Sequence, residues 1–148
     1  GVYTPTELES RAEILYETYA KVIGIEARTM IHMASKHYIP AAITFASRLA
    51  GSLNSVSAAC PQADVSVQRE LLVQVSALLA QAKGALSALE QVSAQVDSMD
   101  DAKEMALAFH SQVVPAMAAL RAPVDELELL MDKDIWPVPT YGDLMFEL

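Results

Sequence analysis

Between Leu72 and Val96, apolar residues alternate three and four positions apart: Leu72, Val75, Leu79, Ala82, Leu86, Leu89 and Val96, with Ser93 the one polar interruption. That heptad seam commits the stretch to a long amphipathic helix and excludes a strand, whose apolar period would be two. Leu71, Leu78, Ala85 and Val92 run beside it at seven-residue intervals. The widened stripe suits a helix that contacts two neighbours, so a bundle is expected rather than a two-stranded coil. With 53% hydrophobic and 20% charged residues, the chain has enough apolar surface to offset the entropy of ordering.

The flanking sequence supplies the other helices. Thr4-Pro5-Thr6-Glu7 reads as a capping box with proline in the first helical position. Leu8, Ala12, Leu15, Tyr19, Ile23, Met30 and Ala34 then recur at helical spacing, and Glu17 and Lys21 form an i,i+4 pair. Pro40 lacks the N–H that would bond the Lys36 carbonyl, yet Ala41, Phe45 and Leu49 continue the stripe, so a kink is expected there. Gly51 to Asp64 reads as a loop, and Asp97 to Asp101 as a turn leading into a third helix that carries Pro115 and Pro123, each a point of kinking or breakage.

Helix one is thus expected at about 5–52, helix two at about 65–97, helix three at about 100–132 and a tail at 133–148, all in a single helical domain. The fold class this implies is all-α, an antiparallel three-helix up-down-up bundle with a long, Pro-kinked first helix and an irregular aromatic C-terminal tail. Helix one would reach about 70 Å against about 50 Å for the others. Its apolar overhang, with Leu15, Tyr19 and Ile23, needs either a partner or a break near Gly24. The tail holds Trp136, Tyr141, Leu144 and Phe146, and aromatics in irregular chain are candidates for an interface or for capping their own bundle.

Site chemistry is not legible. The three histidines lack the Glu-x-x-His spacing of di-metal bundles, and His32 and His37 lie off a common helix face. The sequence has no Gly-rich phosphate loop, nucleophile elbow or H-E-x-x-H run. The acidic cluster Asp125, Glu126, Glu128 and Asp132 reads as a solvated face, and Cys60, the one cysteine, as an incidental thiol. No catalytic, cofactor-binding or metal residue is therefore assigned. The net charge of -9 disfavours nucleic acid and anionic membranes as partners. No uninterrupted apolar run approaches the roughly 20 residues of a membrane span, and a soluble, cytoplasmic protein is expected. Gly1 in place of Met is expected of a piece of a longer chain.

Two segments carry a resemblance. Ser10-Arg11-Ala12-Glu13-Ile14-Leu15, with Glu17, Tyr19, Lys21 and Ile25-Glu26-Ala27-Arg28-Thr29-Met30, resembles the stretch that follows the catalytic domain of type III glutamine synthetases. Trp136-Pro137-Val138-Pro139-Thr140-Tyr141-Gly142-Asp143-Leu144, followed by Met145-Phe146, resembles the W-P-x-P-T-Y-G-D-L-x-F ending of that family. Val114-Pro115-Ala116-Met117 and Val124-Asp125-Glu126-Leu127-Glu128 resemble its last helix, whereas helix two is similar only in pattern.

The resemblance implies a parent enzyme that joins ammonia to glutamate at the expense of ATP, with magnesium or manganese, and assembles into ring-shaped homo-oligomers. Its ligands for ATP, glutamate and metal belong to an upstream domain, so none is carried over. The chain is then expected to be a non-catalytic structural and assembly domain. Its partners would be the rest of the parent and neighbouring subunits, met in two places, around Leu15 and from Trp136 onward. The alternative is a helical module that docks a regulatory protein through its acidic end and tail aromatics.

Overall fold

The structure is a computed structural model that describes residues 3–139 and 141–146. Helix accounts for 85% of it, and no strand occurs among the described residues. In chain order, α1 spans Pro5–Met33, a π-helical turn follows at Ala34–Tyr38, and α2 runs Ile39–Ala59. α3 covers Ser66–Asp97, α4 Ala102–Ala108, a second π turn Phe109–Val113, α5 Val114–Leu130 and α6 Tyr141–Phe146.

The helix starts follow local hydrogen bonding. At α1 the Glu7 N–H donates to Thr4 Oγ1 (3.3 Å) while Glu7 Oε2 accepts from the Thr4 N–H (2.8 Å), the reciprocal pattern of a capping box. The Ser66 N–H donates to Asp64 Oδ1 (2.9 Å) at the start of α3, and the Glu104 N–H to Asp101 Oδ1 (2.7 Å) at the start of α4. Each satisfies a backbone donor that the first helical turn leaves without a partner.

α2 continues through Gly51–Ala59, where the Ser- and Ala-rich composition suggested a loop. Extending a formed helix costs little per residue, and Ala is the best helix former. The stop comes at Cys60, whose extended backbone (φ -144°, ψ 90°) is what a following proline, here Pro61, imposes. α1 is likewise unbroken at Gly24.

The two prolines expected to disturb helices are handled alike. Each π turn begins six residues before a proline and ends two before it: Ala34–Tyr38 ahead of Pro40, and Phe109–Val113 ahead of Pro115. The Ile39 N–H bonds the Ala34 carbonyl and the Val114 N–H bonds the Phe109 carbonyl, five residues back in each case. The wider turn makes room for a ring that would otherwise strike the carbonyl four residues earlier. Neither proline breaks its helix. Pro123 sits inside α5 without a π turn, and the carbonyl it leaves free belongs to exposed Ala119, where water can serve it.

Two compact units are distinguishable, one of Gly1–His32 with Ala85–Leu120, the other of Met33–Gly84 with Arg121–Leu148. In the first, α1 buries Ala20, Gly24 and Ala27, small residues spaced along one face. Phe109 is 2% exposed, and its Cζ lies 3.4 Å from where a Cβ on Gly24 would sit, so the ring packs closely on this face of α1. Leu86, Leu89 and Val96 complete that core. In the second, Val75, Leu78, Ala82, Val124 and Leu127 are buried along with Ala34 and Ala42.

An 18-residue window of α3 averages a hydropathy of 1.3, apolar enough by length and composition alone to cross a membrane. One side of the helix, Val75, Ala82, Leu86, Leu89 and Val96, is buried within the protein, although only 22% of that window is.

Candidate interaction surfaces

α1 carries apolar residues on two opposite sides. Ala20, Gly24 and Ala27 face the core, whereas Leu8, Ile14, Leu15, Val22 and Ile25 are exposed. The second set leaves apolar area on the outward side of the helix. Leu15 is 69% exposed. Beside it, Tyr16, Thr18, Tyr19, Ala106, Leu107 and His110 line a shallow, almost wholly apolar groove between α1 and α4 and the turn after it. Tyr19 is held there by its hydroxyl, 3.3 Å from His110 Nδ1. Ile23, on the flank between the two faces, is half-buried.

The tail residues separate. Trp136 is 7% exposed and stacks on Tyr38, with ring centroids 5.1 Å apart and planes 12° from parallel, so its ring packs within its own unit. Trp136 Nε1 has no hydrogen-bond partner. Burial raises the Tyr38 phenol above its ordinary pKa, and the carboxylates of Glu128 and Asp125 push it further up. α6 carries Leu144, Met145 and Phe146 in solvent, Phe146 at 84% exposure, and is tied back by the ion pair of Lys133 with Asp143. The side chain of Tyr141 lies outside the described residues.

The acidic cluster is dispersed by pairing. Asp125 meets Arg121 (3.0 Å) and Asp132 meets Arg48 (4.0 Å), while Glu126 borders an open apolar groove with Leu78, Leu129 and Leu130. Among the described residues, no three His, Cys, Asp or Glu side chains converge as a metal site would require. Sequence periodicity did not single out the Tyr38–Trp136 stack, and it put Leu8 on one stripe with Ala12 and Tyr19, whereas Leu8 is exposed in a row with Ile14, Val22 and Ile25.

The described residues are helical and leave apolar side chains of α1 and α6 exposed. Residues 1–57 match the family described as the glutamine synthetase C-terminal domain. Along its whole length the chain is similar to the C-terminal part of larger proteins. It is 32% identical over 154 residues to the type-3 glutamine synthetase of Dictyostelium discoideum, covering 99% of the chain and 20% of that protein. It is 30% identical to the glutamine synthetase of Butyrivibrio fibrisolvens (100% and 21%) and 27% identical to that of Bacteroides fragilis (98% and 20%). Residues 1–57 thus resemble the glutamine synthetase C-terminal domain, and the whole chain is similar to proteins named glutamine synthetase, one of them a type-3 enzyme. It spans about a fifth of the length of the curated relatives it matches.

Proposed function

We propose that this chain is the non-catalytic C-terminal structural and assembly domain of a type III glutamine synthetase. The parent would ligate ammonia to glutamate with ATP and magnesium or manganese in the cytoplasm, as a homo-oligomer. The observation that carries this reading is the alignment, which takes up 98–100% of the chain but only 20–21% of its relatives. The exposed apolar residues Leu15, Leu144 and Phe146 support it, because apolar area of this kind marks protein contact. The same reading treats the chain as one domain in an up-down-up bundle. The short connections at residues 60–65 and 98–101 support that arrangement.

The test is to supply the isolated chain with glutamate, ammonia, ATP and either metal, and to follow glutamine and phosphate. No turnover is expected. Turnover that scales with chain concentration and survives repurification would end the non-catalytic assignment.

A further inference from the structure

We propose that the chain carries a hinge, at which α3 bends about Gly84 and two further helical passages give with it. The chain passes between its two compact units three times, at 32/33, 84/85 and 120/121. Two bodies joined by three helical passages re-orient only if all three yield. Each passage coincides with a different helix defect. Immediately after the first comes the π turn Ala34–Tyr38, whose widened hydrogen bonding leads into Pro40. At the second stands Gly84 itself, inside α3. At the third, Pro123 has no N–H to donate to the Ala119 carbonyl, and that missing bond is one of those that would span residues 120 and 121. Proline, glycine and π turns are the places where helices bend.

Packing gives Gly84 no reason to be glycine. It is exposed, and a Cβ there meets nothing within 4 Å, whereas Gly24 lies close against Phe109. Inside a helix glycine is costlier than alanine because its backbone has more freedom to lose, and that freedom is what a bend uses. The turns of α3 on either side are anchored separately: Val75, Leu78 and Ala82 are buried in one unit, Leu86, Leu89 and Val96 in the other. A bend at Gly84 therefore leaves both cores packed. Lys83 beside it is exposed, as are Arg121 and Ala122 just past the third passage, so these side chains do not lock the helices at the points of bending. The hinge gives independent orientation to the exposed apolar residues of α1, in one unit, and of α6, in the other. It stands whether or not the chain assembles its parent.

Amide hydrogen exchange on the unmodified chain tests the bend. A stiff helix exchanges fastest at its frayed ends and slowest in its middle. The hinge reverses this in α3: after correction for intrinsic rates, the amides of residues 84–88 are expected to exchange faster than those of 75–79 and 89–93 on either side. Gly84→Ala should slow them about fivefold, the difference between the two residues inside a helix. Spin labels in a Cys60→Ser background, which removes the exposed native thiol, read the motion itself. Labels on Glu13→Cys and Ser52→Cys, one in each unit, should give a broader distance distribution than labels on Glu13→Cys and Glu90→Cys, both in one unit. Gly84→Ala combined with Pro123→Ala should narrow the first distribution and leave the second unchanged. Protection that rises from both ends of α3 to a maximum at Gly84 would overturn the hinge. So would a distribution between units as narrow as the one within a unit, or one that these two substitutions leave equally broad.

Discussion

Replacing Phe109 by Ala should cost about 4 kcal/mol, in the range measured for buried aromatic rings cut back to Ala. The upper part of that range is expected because Phe109 is 2% exposed and the helix facing it presents Ala20, Gly24 and Ala27. None of these has a side chain that can swing into the void, so the cavity persists. With a urea slope of about 2 kcal/mol per molar, the midpoint should fall by about 2 M. The opposing wall supplies a control. A Cβ on Gly24 would lie 3.4 Å from Phe109 Cζ, so Gly24→Val crowds the ring by itself but fills space once the ring is gone. The two changes should therefore couple, the double variant being more stable than the sum of the single effects predicts. Urea unfolding followed by circular dichroism at 222 nm measures all four proteins. A loss under about 1 kcal/mol for Phe109→Ala, or strict additivity, would refute the packing of α1 on this ring.

Other expectations follow from single groups. The Ser93 hydroxyl is buried in the α3 seam without a hydrogen-bond partner, so Ser93→Ala should stabilise the chain by about 1 kcal/mol in the same unfolding assay. Gly84 lies inside α3 and a Cβ there meets nothing within 4 Å, so Gly84→Ala should also add about 1 kcal/mol, and a loss would mean that the glycine serves a contact. Tyr38 is raised above its usual pKa of 10.0, first by burial and then by Glu128 and Asp125. Its contribution to stability is complete below pH 10.0 and is lost as pH rises through the higher folded value. Ultraviolet titration against Tyr38→Phe should show one late-ionising phenol, and an ordinary titration for that residue would remove the buried stack with Trp136.

What the sequence made legible is what repeats or caps. The α3 seam, the Thr4–Glu7 box and the Asp101 cap each depend on residues within a turn or two of one another, and so are written locally. Pro61 likewise marks the end of α2, but the Ser and Ala residues before it pointed toward a loop because composition hides how cheaply a helix extends. Pro40 and Pro115 announced a disturbance without its form, since whether a helix kinks, breaks or widens depends on how its neighbours hold it. At the candidate surfaces, Leu15, Leu144 and Phe146 are exposed, while Trp136 lies under Tyr38, a partner nearly a hundred residues away that no local pattern specifies. The end motifs carried the resemblance because they are specific words in the chain, independent of folding, and the family match falls on the first of the two, within residues 1–57.

The central claim, that this domain assembles its parent, is tested most directly by the native mass of the full-length enzyme with these 148 residues removed, measured by sedimentation velocity. A smaller oligomer is expected, whose remaining subunits keep their folded circular dichroism signal. An assembly of unchanged subunit number would contradict it.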